Sequence, residues 1–212
     1  SRRGAGDPLV LGLERRTLTG TLTITFTGVA TLLCAQPGTI RGRVDVRRDS
    51  AAPPSRPRVA DLGPGAPTEP AERRRSVVYL EAAPQGAFEE PERTRVVLDQ
   101  RDQTFVPHVL AVATGTTVDF RNSDRTYHNV FSLSGGATFD LGRFRRGQSR
   151  ERTFAKAGIV KVYCHLHAHM SGVIRVFDHP YFALPDRTGR FAIGDLEPGQ
   201  HDVVAWHERV GE

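Results

Sequence analysis

The stretch YCHLHAHM, Tyr163 to Met170, places one cysteine, three histidines and one methionine within eight residues, and each of those five side chains offers a nitrogen or sulfur atom to a metal ion. Thiolate and thioether are soft donors and imidazole suits the later transition metals, so the mixture favours a redox-active ion over magnesium or calcium. Strand alternation indicates how the cysteine is presented. In GIVKVYC the charged Lys161 shares a face with Ile159 and Tyr163, while Val160, Val162 and Cys164 share the other, which sets the thiol at the core-facing end of a strand. HLHAHM loses that alternation and reads as a short loop running into Ser171 and Gly172. Such a loop can fold back and bring His167 and Met170 around the sulfur, and His128 in TYHNVF can complete the set from another strand.

A thiolate, two imidazoles and a thioether are the donors of a type 1 blue copper site, in which sulfur suits Cu(I), imidazole holds Cu(II), and a rigid compromise geometry lets the ion change oxidation state with little rearrangement. With four protein groups filling the set, no coordination position is left for a substrate. The segment from about Thr104 to Val176 resembles a cupredoxin of the plastocyanin and amicyanin group. FVPHVLAVATGTTVDFRNSD is similar to its early strands, HNV to its first ligand strand, and YCHLHAHM to its ligand loop, with the short spacing Cys164, His167, Met170. The resemblance implies one copper ion held by His128, Cys164 and His167 with Met170 as a weak axial ligand, and Asn129 fastening the loop by hydrogen bonds behind the ligands. It departs from the family in crowding: His165 and His169 flank the ligands and the loop lacks a proline. Both are read as solvent-facing, the alternatives being that His169 replaces Met170 or that the pair takes a second ion. His108, His179, His201 and His207 have no supporting spacing and are read as structural or surface residues.

The elements that must position these groups are short strands. GTIRGRV and SVVYLEA alternate or run apolar ahead of the copper segment, RTRVVLDQ opens it, and strands separated by Gly, Asn and Asp turns follow from Thr104, with no convincing helical stretch. The expected fold class is all-β, a Greek-key cupredoxin sandwich spanning 93–178. The flanks, 38–92 and 179–212, resemble the first and last strands of a carboxypeptidase regulatory-like sandwich. Together they imply a cupredoxin inserted in or joined to a second small β-sandwich, as in exported methylamine utilisation proteins. Between them, 49–75 holds six prolines and almost no large apolar side chains, and is expected to remain a disordered loop.

With 212 residues, 38% of them hydrophobic, the chain suits one or two modest domains. Its net charge of +5 comes from arginines spread along the chain, the lysines being Lys156 and Lys161 alone, which argues against a nucleic-acid arm. Arg15 and Arg16 precede an uncharged, threonine-rich apolar run that is too short for a good membrane span, so residues 1–35 read as an export signal with Ala35 before the cut. That would leave Cys164 as the single cysteine of a periplasmic or secreted protein with no stable membrane span, its thiol calling for an intermolecular bridge or a metal. No nucleophile and base pair, phosphate loop or paired carboxylates stand out, so catalysis is not expected. The expected function is transfer of single electrons between redox proteins, such as a c-type cytochrome or a dehydrogenase. The alternatives are copper storage, delivery or sensing, or an interaction module with structural copper.

Overall fold

The computed structural model describes residues 16–17, 20–26, 37–47, 72–83 and 94–209. Most of the export-signal expectation and residues 49–71 of the proline-rich expectation lie outside the described residues. The described secondary structure is strand, apart from a short 3-10 turn at Glu72–Arg75, and the chain is all-β. Among the described residues no helix is long and apolar enough to cross a membrane.

The chain divides into two compact units, Ala83–Phe182 and a second formed by Ser1–Ala82 together with Ala183–Glu212. Among its described residues the continuous unit contains nine complete strands: β5 (Arg95–Arg101), β6 (Thr104–Val106), β7 (Val109–Ala113), β8 (Thr117–Asn122), β9 (His128–Ser132), β10 (Phe139–Phe144), β11 (Ser149–Thr153), β12 (Gly158–Tyr163) and β13 (Ser171–Phe177). They form a five-stranded sheet in the order β10-β9-β12-β13-β7 and a four-stranded sheet in the order β11-β8-β5-β6. Leu98, Phe105, Val118 and Phe120 from the smaller sheet meet Leu110, Val130, Phe144, Val160, Val162 and Ile174 from the larger in one buried core. A two-sheet sandwich follows, because each sheet turns one apolar face inward.

Short strands separated by turns suggest an antiparallel sandwich or barrel. The structure instead contains two parallel pairs, β13 with β7 and β5 with β8. Each joins strands that are not consecutive along the chain, so no turn signal announces it. Strand β10 carries no regular alternation. Its register against β9 shifts between Asp140 and Arg143, where Gly142 has a φ of 69° and its N–H bonds Asp140 Oδ1 at 2.9 Å. That bulge moves the later side chains by one position and hides the strand from a period-2 reading.

The other unit is built from both flanks. Strands β1 (Arg16–Thr17), β2 (Gly20–Phe26), β3 (Gly38–Arg47) and β15 (Arg190–Leu196) form one sheet in that order; β14 (Phe182–Ala183), β4 (Ser76–Leu80) and β16 (Val203–His207) form another. Strand β3 pairs antiparallel with β15, and β4 with β16, so the leading flank is held by the trailing one. Strand β2 lies inside the run read as an export signal and pairs antiparallel with β3 from Thr21↔Arg47 to Phe26↔Gly42. The alternation of Thr21, Thr23 and Thr25 with Leu22, Ile24 and Phe26 suits a strand as well as it suits an uncharged signal. The end of the proline-rich stretch is ordered too: Glu72–Arg75 forms the 3-10 turn, and Arg73 reaches Asp45 at 2.9 Å.

Candidate metal centre

Strand β9 runs between β10 and β12 and is buried on both faces, so the polar residues His128 and Asn129 are inside the protein. Strand β12 alternates as the sequence demands: Ile159 and Lys161 are exposed, Val160 and Val162 buried. Cys164 continues the inward face and is 4% exposed. The chain then makes a tight loop. Met170 N donates to His167 O at 2.9 Å, and Cys164 N to Met170 O at 3.3 Å, which closes the loop on itself before β13 begins.

This closure brings together three of the residues expected to ligate. One donor atom from each of His128, Cys164 and His167 lies within 4.8 Å of the others. Cys164 Sγ is 3.8 Å from His128 Nδ1 and 3.7 Å from His167 Nδ1. Bonds of about 2.3 Å to sulfur and 2.0 Å to nitrogen, as at zinc, opened to a trigonal angle would separate the donors by about 3.7 Å. The two sulfur–nitrogen separations therefore match those of a three-donor ion. Met170 is 1% exposed and belongs to the same apolar cluster as Cys164.

The loop is held from behind. Asn129 Oδ1 accepts from His165 N at 2.7 Å, and the Asn129 amide nitrogen is 3.5 Å from Asp140 Oδ1. His165 lies flat on Phe131, with ring centres 3.7 Å apart and planes 2° apart, and its Nε2 is 3.6 Å from Asp140 Oδ2. His169 is exposed, its ring 6.2 Å from that of His167. Neither joins the three-donor group. His108, His179, His201 and His207 are outside it as well; His201, for example, bonds Glu197 O at 2.8 Å.

Two electrostatic features suit a metal. Burial, then the neighbouring charges of His128 and His169, hold His167 below the ordinary imidazole value, with Asp124 pulling the other way. A ring that resists protonation keeps its lone pair available. The second feature escaped the sequence reading: Asp124 Oδ2 is 2.8 Å from His128 Nε2, on the edge of the ring opposite Cys164. Burial pushes the Asp124 carboxyl up, but hydrogen bonds from Gln103 N–H, His128 and Asp102 N–H outweigh it, so the group lies below the usual carboxylate range. The one signal in the sequence was the i, i+4 spacing of Asp124 and His128 outside any helix.

No protein-family model matches the chain, and no curated protein does. Among solved structures it is similar to cupredoxins. A copper-containing nitrite reductase from Thermus scotoductus SA-01 is 28% identical over 42% of this chain and 23% of its own, with a TM-score of 0.38. A reduced amicyanin variant is 25% identical over 47% of this chain and 97% of its own, with a TM-score of 0.37. A purple cupredoxin from Nitrosopumilus maritimus is 24% identical over 39% of this chain and 98% of its own, with a TM-score of 0.35. The chain spans less than a quarter of the nitrite reductase and nearly the whole of the other two.

Proposed function

We propose that the protein is a type 1 copper protein that carries single electrons between redox partners outside the cytoplasm. The observation that supports this most directly is the approach of one cysteine sulfur and two imidazole nitrogens to within 4.8 Å of one another. His128, Cys164 and His167 would be the strong ligands and Met170 the axial one, with Asn129 holding the loop. Bound copper would supply a one-electron couple. The protein's own part is to keep the donors fixed, so that little moves when the charge changes, and to exclude water from Cys164 and His128, both buried.

His167 is the expected exit, because it is only half-buried and has the exposed Leu166 and Ala168 beside it, an apolar rim against which a partner can pack. The partner would be an acidic redox protein such as a c-type cytochrome or a dehydrogenase, since the chain is net positive, +5 in full and +3 without residues 1–35. Export would proceed by the N-terminal apolar run, with the cut after Ala35.

Visible absorption and paramagnetic resonance of the copper-loaded protein test the reading. An intense sulfur-to-copper band with a small copper hyperfine splitting is expected. A pale spectrum with the wide splitting of a tetragonal nitrogen and oxygen site would overturn it.

A further inference from the structure

The turn that links β5 to β6 consists of Asp102 and Gln103, with φ values of 53° and 54°. Two successive left-handed residues form the tight hairpin turn that Asn-Gly usually makes, and here both positions carry larger side chains. Consecutive N–H groups in such a turn point into one concavity, which suits an anion. The anion is Asp124: Asp102 N donates to its Oδ1 at 2.6 Å and Gln103 N to its Oδ2 at 2.8 Å.

Asp124 is fixed from its other side as well. Its own N–H bonds Asn122 Oδ1 at 2.9 Å, while the Asn122 amide nitrogen, fully buried, donates to Thr126 O at 2.9 Å and Phe144 O at 3.0 Å. Its Oδ2 then meets His128 Nε2 at 2.8 Å, closer than Thr126 Oγ1, which is 3.4 Å from the same nitrogen. An ionised carboxylate can only accept, so the proton of a neutral His128 resides on Nε2 and the Nδ1 lone pair faces Cys164. His128 is fully buried and Asp124 is 13% exposed, so water cannot take over the contact at the ring.

We propose that Asp124, gripped by the Asp102–Gln103 turn, is a positioning residue of the metal centre that fixes the tautomer and tilt of His128. Resting on the copper reading above, the inference extends the site from its ligands to a hairpin more than 20 residues upstream of any of them. The carboxylate also adds electron density to the imidazole through the shared proton, which stabilises the more highly charged metal state.

The test uses the full chain as wild type, Asp124→Ala and Asp124→Asn. Nitrogen-15 NMR of the metal-free proteins reads the His128 tautomer, competition with a chromogenic chelator reads Cu(I) affinity, voltammetry reads the potential, and circular dichroism checks the fold. The wild type should show a slowly exchanging Nε2 proton on His128. Asp124→Ala should lose it, bind Cu(I) about 10–100-fold more weakly, and have a higher reduction potential. Asp124→Asn keeps the shape, but its single amide oxygen cannot serve both the turn and His128, so it should shift the same way even if the alanine variant fails to fold. An unchanged tautomer in both Asp124 variants, or an affinity within about threefold of wild type, would overturn the proposal. A wild type that binds no copper while its tautomer responds as described would overturn the copper reading and the metal-positioning role with it, leaving only the hydrogen-bonded lock on the ring.

Discussion

Cys164 supplies the one sulfur in the group of three donors, and this makes it the residue whose loss is most specific. Cys164→Ser should abolish the sulfur-to-copper band while circular dichroism shows the same strand content, because serine fills nearly the same volume at the end of β12; a surviving band would remove Cys164 from the site. His165 and His169 make the opposite case. The stacking of His165 on Phe131 and the exposed position of His169 leave both outside the donor group, so replacing them together with alanine should leave the copper spectrum nearly unchanged. A large change from His169 alone, with none from Met170→Leu, would transfer the axial role to His169. His167 also gives the metal-free protein a pH dependence of known sign. Its folded pKa is lowered, so the unfolded chain takes up protons first, and the stability it contributes is present above about pH 6.5 and lost as pH falls below that. Denaturant midpoints between pH 8 and pH 5 should therefore fall less steeply in His167→Gln than in wild type.

At the scale of elements, turns fix where strands may lie, and two of them differ in a measurable way. In the turn before β15, Asp186 Oδ1 accepts from Thr188 N, Thr188 Oγ1 and Arg190 N at 2.7, 2.7 and 2.9 Å. The Thr188 hydroxyl first, then the Arg190 N–H, hold the Asp186 carboxyl below its ordinary value. Gly189 follows with a φ of 86°, its O accepting from Val44 N at 2.8 Å, and a Cβ there would sit 2.4 Å from Val44 O. Gly136 and Gly147 also have positive φ, 77° and 78°, but nothing lies within 4 Å of their added Cβ. Alanine at Gly136 or Gly147 should cost only the left-handed strain, about 1–2 kcal/mol, whereas Gly189→Ala should cost more, because backbone must also move. Thermal unfolding of the three variants checks this; equal losses would show that β3 and β15 yield easily at that point.

For the whole molecule, the proposed function depends on an electron reaching a partner. Reduced protein mixed rapidly with an acidic c-type cytochrome should be oxidised at a rate that falls as salt is raised, because the net positive charge, +5 for the full chain and +3 without residues 1–35, accelerates encounter only while it is unscreened. Slow exchange at every ionic strength, with ready passage of copper to an acceptor protein, would favour storage or delivery. The three donors lie within the continuous unit Ala83–Phe182, while the flanking unit draws on both ends of the chain. Residues near the N-terminus therefore matter twice: cleavage after Ala35 would release β2, which pairs with β3 in the full chain.

The sequence by itself determined the local quantities. The alternation through Val160, Val162 and Cys164 fixed which face the thiol takes, and the spacing of Cys164, His167 and Met170 fixed a loop short enough to close on itself, since both depend only on residues adjacent in the chain. The flanking strands were legible for the same reason. Strand β10 was not, because the bulge at Gly142 breaks its period, and neither were the parallel pairs of β13 with β7 and β5 with β8, whose partners are distant in sequence. Asp124 belongs with these. Whether a carboxylate four residues before a histidine faces it or faces solvent depends on the loop between β8 and β9 and on the Asp102–Gln103 turn reaching it from another hairpin. Contacts of that kind join three separate segments through backbone N–H groups, which every residue but proline possesses, so no residue type marks them and only the folded chain decides them.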